Sequence, residues 1–276
     1  MLENRKYAKY KKRLKGNPPL TALKVKRGDT KLKMERNDML IHGREFQIAS
    51  LDEIHFKIVD EMKTMPRGRV LDFPAGTGRL SWMLHNEGFD VTAADIETEG
   101  FCNPEIPIVK GDLDGGFPFA AGSFDYACCI EGPEHVENLY HTFREFSRVL
   151  KKNGLFQMSY PNYSNIESRL KNVFYGIIEP VEPYSGKDDK NNGHISRPSF
   201  ALLKMALSYA GLEIETVVSE KTKANQLWLM PLAWLIFLFT KIKGKRGIRK
   251  YWLDESNSPK VLMGGNSLII SARKIR

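Results

Sequence analysis

The feature that most limits what this chain can fold into is the stretch Val70-Leu71-Asp72-Phe73-Pro74-Ala75-Gly76-Thr77-Gly78-Arg79-Leu80. A short β-type run ends in an acid, passes through a turn with two glycines, and continues as a helical pattern that stops at Gly88. The glycines let the backbone bend sharply and approach a ligand where a Cβ would collide. A strand that feeds a helix through such a loop is a unit of an open α/β sheet, whose ligands gather at the C-terminal ends of the strands.

The alternation continues along the chain. Ile48, Leu51, Ile54, Ile58, Val59 and Met62 recur at spacings of three and four, which predicts an amphipathic helix before the first strand. Further strands are predicted over 90–95, 108–112, 124–130, 155–160, 212–218 and 267–272, with helices over 138–150 and 199–210. Residues 163–198 read as irregular. Strands separated by helices predict a doubly wound, mostly parallel seven-stranded α/β sheet with helices on both faces. A length of 276 residues with 42% apolar and 27% charged excludes global disorder, a collagen repeat and a multi-span membrane protein. Cys102, Cys128 and Cys129 form neither an even framework nor a C-x-x-C pair, and no other ligand spacing stands out, so neither disulfides nor a metal is expected. The first residues carry charge with no apolar core behind them, so no secretory signal is expected and the body is assigned to the cytoplasm.

Acids mark the strand ends. Asp72 closes the strand before the loop, Asp95 closes the next strand 19 residues after Gly76, and Asp112 closes the third. In a doubly wound sheet these ends line one crevice. A carboxylate at Asp95 suits ribose hydroxyls, yet Ser81 stands where the third glycine of a dinucleotide fingerprint belongs, and Asp72 would face a pyrophosphate with like charge. A cationic or zwitterionic nucleoside fits better.

On these motifs the sequence resembles the seven-strand, class I family of S-adenosylmethionine-dependent methyltransferases, over about residues 45–218 plus the last strand. The loop stretch matches the family's first motif, Asp95 its acidic ribose ligand, and Gly111-Asp112-Leu113 with 117–125 its adenine-side segment. Glu134-His135-Val136 and 146–154 resemble the stretch that leads into the fifth strand of quinone-type and related small-molecule enzymes. The resemblance implies S-adenosylmethionine as cofactor. Asp72 and the backbone of Pro74, Gly76 and Gly78 would hold its amino acid end, and Asp95 the ribose, with Ile96 against the adenine. Asp112 would accept from the adenine amino group, the Leu113 backbone would meet a ring nitrogen, and Glu131 would lie near the methionine part. The family usually has glycine where Pro74 stands, and proline removes an N–H and fixes φ near about −65°.

Three residues are candidates for catalysis. His135 follows the fourth strand at the crevice rim, and imidazole titrates near neutral pH; a histidine at a helix entry that faces solvent is the alternative. His194, within 192–198, resembles the family's histidine-containing loop ahead of its penultimate helix, or is a structural loop residue. Tyr160 and Asn162, at the end of the fifth strand, are expected to face the acceptor. Glu134 either steers a substrate or caps the following helix, and His141 is expected at the surface. The aromatic and charged segment 163–198 is read as an acceptor lid.

Two basic regions frame the domain. Residues 1–36 hold 13 Lys/Arg against three acids, a local charge of +10 in a chain of net +9, and 1–44 is read as a basic extension to a methyltransferase domain over 45–276. Within 224–263, a hydrophobic and basic insertion, residues 227–239 carry no charge and are followed by Lys241, Lys243, Lys245, Arg246, Arg249 and Lys250. A spanning helix needs about 20 apolar residues, so this segment is too short to cross a bilayer, and Pro231 is expected to kink it. Trp-rich apolar surface beside a cationic cluster suits an anionic membrane through 227–250 and 1–36; packing on the sheet edge or on a second subunit are the other readings. The arm could instead track RNA, with Tyr7 and Tyr10 stacking on bases. The sequence therefore predicts methyl transfer, on oxygen, to a small or membrane-borne acceptor (a lipid, a quinone or a lipid-linked glycan) at the inner face of the membrane. An RNA methyltransferase and a non-catalytic, membrane-docked cofactor-binding scaffold are the rivals. The chain has Ile130-Glu131-Gly132-Pro133 where many nucleic-acid enzymes carry an Asn/Asp-Pro-Pro-aromatic tetrad.

Overall fold

Strand residues that alternate between two apolar faces need helices on both, and the topology supplies them. The computed structural model describes residues 40–41, 44–45, 52–178, 193–221, 223–243 and 252–276; the arm 1–36 and the basic run 244–250 lie outside them. Leu40–Ile41 (β1) and Arg44–Glu45 (β2) form a short antiparallel pair. The main sheet contains Arg69–Asp72 (β3), Asp90–Asp95 (β4), Ile108–Lys110 (β5), Phe124–Cys129 (β6), Leu150–Pro161 (β7), Leu212–Ser219 (β8) and Ser267–Lys274 (β9). Their order is β5-β4-β3-β6-β7-β9-β8, parallel except that β9 runs against both β7 and β8. The direction of winding reverses between β3 and β6, which places the crevice of a doubly wound sheet beyond Asp72 and Cys128, partners in register.

The faces divide cleanly. Val70, Val91, Ala93 and Cys128 point to one core with Asp52–Met62 (α1) and Arg79–Asn86 (α2). Leu71, Ala127, Phe156 and Met158 point to the other with Leu139–Val149 (α3) and Phe200–Tyr209 (α5). Helix α3 starts where the Asn138 side chain accepts from the His141 N–H at 3.1 Å, so the cap is Asn138 and not Glu134, which is fully buried. His141 is half-buried, not superficial, with Nε2 2.9 Å from the Gly115 carbonyl.

Three expectations need correction. Residues 163–198 are not irregular throughout, because Ile166–Tyr175 forms a helix (α4). Its signals are local: Asn165 accepts from the Ser168 N–H at 2.8 Å, and Gly176, at φ +70°, ends it. Strand β7 begins five residues earlier than expected, since Leu150 already pairs with Phe124 before the register shifts to Tyr126 with Leu155. Pro231 does not kink the insertion. A 3₁₀ turn over Ala224–Leu229 leads into Met230–Ile242 (α6), and Pro231 falls in the first turn of α6, where its missing N–H would have no partner.

The insertion is tied down. After Leu253–Ser256 (α7) and Pro259–Leu262 (α8), Arg169 of α4 donates to Asn257 Oδ1 and to the Ser256 carbonyl, both at 2.6 Å, and to the Ser164 carbonyl at 2.8 Å. Asn257 in turn donates to Thr240 Oγ1 of α6 at 2.7 Å. Ile166, Leu229, Ala233 and Leu262 form a small core between these helices.

Candidate functional site

The loop after β3 has one glycine fixed by packing and one by open space. Gly78 is at φ +88°, and a Cβ there would overlap the Phe101 ring. Gly76 is at φ +53°, and nothing lies within 4 Å of where its Cβ would be. Gly76 is exposed, and that space opens to solvent as a cradle where a ligand can reach the backbone. The Phe73–Pro74 bond is cis, and Pro74 packs so closely on Gly132 that a Cβ at 132 would come within 2.7 Å of Pro74 Cδ. A glycine after β6 thus accommodates the proline that replaces the family's glycine.

Carboxylates surround the cradle. Asp95, buried at the end of β4, accepts from the Gly76 N–H at 2.7 Å through Oδ2 and from the Glu97 N–H at 3.0 Å through Oδ1. The Gly76 N–H that the resemblance offers to a ligand is therefore spent on Asp95, and the loop is braced against β4. Asp72 is buried and accepts from Ser81 Oγ at 2.6 Å. Burial pushes the Asp72 carboxyl up to about 7; the Ser81 hydrogen bonds oppose the shift and the Asp95 charge adds to it. A cation brought beside Asp72 would recover that cost. Asp112 is exposed beyond β5, with Oδ1 accepting from the Asp114 N–H at 3.0 Å, and Ile96 and Leu113 are half-buried.

Glu131, just beyond β6, joins this half of the rim to the next. It has φ +50°, its N–H donates to Ser159 Oγ at 2.8 Å, and Ser159 Oγ donates back to Oε1 at 2.9 Å. Burial raises its carboxyl, against the Ser159 bond and the nearby His194. Glu131 and His194 share a cavity of about 270 Å³ with the chain ends beyond β7 and β8 and the start of β9: Asn162, Asn165, Lys223 and Asn266 line it with Glu167 and Lys171 of α4. Tyr163 Oη lies 2.7 Å from His194 Nδ1. His135 Nδ1 lies 3.1 Å from the Gly193 carbonyl, with its ring 5.2 Å from that of His194, edge to face. Burial first, and then His194, push the His135 imidazole down, with the Gly193 carbonyl opposing. Tyr160 is buried and donates to the Ser196 carbonyl at 2.7 Å, outside the cavity lining. Sequence spacing does not bring His194 to Glu134 and His135, yet donor atoms of the three lie within 4.8 Å of one another. It also did not single out Lys171, Lys223 or Asn266.

An open cradle and a buried acid that favours a cation, next to a second acid at a ribose position, fit a sulfonium nucleoside with an amino acid tail. A family model described as a methyltransferase domain matches residues 45–217, and the chain belongs to that family. It carries a methyltransferase domain on a seven-stranded, doubly wound α/β fold. Among curated relatives it is similar to demethylmenaquinone methyltransferases, from Renibacterium salmoninarum (32% identical over 135 residues, 46% of this chain and 54% of that one) and from Beutenbergia cavernae (36% over 101 residues, 35% and 42%). The chain spans about half the length of these relatives. Among solved structures, a methyltransferase from Bacillus halodurans shares the fold at TM-score 0.50 and 21% identity, covering 80% of this chain and 98% of its own. A Haloferax volcanii methyltransferase in complex with the Trm112 activator matches at TM-score 0.51 and 17% identity, over 81% and 89%. No helix among the described residues is long and apolar enough to cross a membrane.

Proposed function

We propose that this chain methylates an oxygen of a small acceptor carried at the inner face of a membrane, such as a lipid, a quinone or a lipid-linked glycan. The observation that carries the reading is His194 in the cavity beside Glu131, with its ring held by Tyr163 Oη at 2.7 Å. When bound, S-adenosylmethionine supplies a methyl already activated on sulfur. Asp72 and the loop 74–78 would hold its amino acid end, Asp95 its ribose, and Ile96, Asp112 and the Leu113 backbone its adenine, with Glu131 near the methionine part. In the tautomer whose Nδ1–H donates to the Tyr163 hydroxyl, Nε2 is the basic nitrogen of His194 and takes the proton of an acceptor hydroxyl. His135, kept neutral, positions the 193–196 loop. The cavity walls exclude water and align the acceptor, an effect worth roughly 7–11 kcal/mol in well-oriented reactions.

Membrane attachment is supported by Trp228 and Trp234, 75% and 62% exposed on the insertion. Two measurements test the reading. His194→Ala is expected to lower kcat by about 10²–10⁴ while affinity for the demethylated cofactor stays within about twofold; an unchanged rate removes His194 from the chemistry. Cosedimentation with anionic vesicles is expected, and is expected to weaken in a Trp228→Ser/Trp234→Ser variant. Tight, salt-sensitive RNA retention without vesicle binding would put the acceptor among nucleic acids instead.

A further inference from the structure

A surface helix normally backs its buried stripe with a polar face, and α6 does not. Leu229, Ala233, Ile236 and Thr240 turn inward toward α4, α7 and α8. The outward positions are Met230, Trp234, Leu235, Phe237, Leu238 and Ile242, each between 39% and 75% exposed. Between Glu220 and Asp254 there is no acid, whereas eight Lys/Arg fall there. The last turn of α4 repeats the pattern, with Val173, Phe174 and Tyr175 about three-quarters exposed. Helix α4 also walls the cavity, through Lys171 one turn before Phe174, and Lys223, a further lining residue, directly precedes the 3₁₀ turn that carries Trp228 and leads into α6.

Chemistry along this path changes in order, from apolar side chains outside, to two lysines, to amides, hydroxyls and an imidazole within. Glu167 lies between Lys171 and Lys223, and the Lys171 hydrogen bond leads the interactions that hold its carboxyl down to about 2, so the acid stays ionised and fixes both ammonium groups. Two cations against one acid leave this stretch of the lining positive, and Glu131, the cavity's other acid, balances it over the lining as a whole. Ten of the thirteen residues that line the cavity are polar or charged, Pro161, Tyr163 and Ile178 being the others, and the surface they turn to it is polar and apolar in comparable measure. At about 270 Å³ it is small beside ligand sites of about 300–1,000 Å³, so it takes a head group rather than a whole lipid.

We propose that the acceptor is an amphiphile whose apolar tail lies in the bilayer against α4 and α6 and whose hydroxylated head, joined through an anionic link that faces Lys171 and Lys223, enters the polar cavity. The proposal rests on the reading of this rim as the acceptor side of the methyltransferase. It departs from the substrate class that the curated relatives' names carry: a quinone has no anionic link to set against Lys171 and Lys223.

The test supplies the full chain with tritiated-methyl S-adenosylmethionine and a total lipid extract of the source cells dispersed in phosphatidylcholine vesicles with one-quarter phosphatidylglycerol. Label is expected in the organic phase and is expected to move to water after mild acid hydrolysis releases the head. Label that stays in the organic phase on an ultraviolet-absorbing ring overturns the proposal in favour of a quinone, and so does label confined to water-soluble products. If no label transfers but calorimetry shows the demethylated cofactor bound, the proposal falls and the cofactor site stands. If neither occurs, the methyltransferase reading itself fails. A second readout needs no turnover: Phe174→Asp, an exposed change, is expected to weaken vesicle binding at least about tenfold, and unchanged binding removes α4 from the membrane face.

Discussion

The two halves of the sheet rim are assembled on different length scales. On the β3–β5 side the groups that brace each other are near in sequence: Ser81 reaches Asp72 across nine residues, and Gly76 reaches Asp95 across 19. On the β6–β9 side Tyr163 meets His194 across 31 residues, and Arg169 meets Asn257 across 88. On the proposed function the cofactor would be held by a local device, whereas the acceptor cavity would be gathered from remote segments, so that chemistry common to the family and chemistry particular to this chain would be separated in space.

That separation can be broken by substitution. The largest effect is expected from Gly78→Val, which forces a β-branched residue to φ +88° against Phe101; a loss of at least about 3 kcal/mol in denaturant unfolding, with no binding of the demethylated cofactor, is expected. Arg169→Ala should act on the other half alone. It leaves the Ser164 and Ser256 carbonyls and Asn257 without their partner, at about 2–4 kcal/mol, with faster proteolysis within 166–262 and cofactor affinity unchanged. A fall in cofactor affinity would show the halves to be coupled.

The smallest expected effect sharpens the cofactor half. Asp72 has a folded value of about 7 against 3.8 for the ordinary group, so between these values the folded chain binds the extra proton, and stability decreases as pH rises. From about pH 5 to 8 the loss is on the order of 2–3 kcal/mol, read from unfolding midpoints, and Asp72→Asn should flatten it. Cofactor binding near pH 7 should release a proton from Asp72, seen as a dependence of the calorimetric heat on buffer ionisation. A pH-independent midpoint would mean that Asp72 is charged throughout.

The sequence disclosed the local half well, because strand periodicity, turn glycines and strand-end acids act within a few residues of one another. The strands, the loop and the positions of Asp72 and Asp95 at strand ends were legible in this way, whereas Glu131 was reached only through the family resemblance. Helix α4 was legible in principle, since Asn165 and Gly176 are its cap and stop, but its exposed aromatic end obscures the apolar period. The cavity was only partly legible. Lys223 and Asn266 come to the rim because β8 and β9 run antiparallel, and no local pattern records which strands will be neighbours. His194 could be picked out, but the Tyr163 that holds it could not.

One topological detail bears on how the chain is made. Strand β9 lies between β7 and β8 yet is translated after both. From the end of β7 at Pro161 to the start of β9 at Ser267, a ribosome at about 5–20 residues per second needs roughly 5–20 s. During that interval the outer edge of β7, buried from Leu155 to Pro161 in the finished sheet, has no strand beside it. Until residue 267 and the strand it opens are made, that edge of β7 stays open to pairing with another chain.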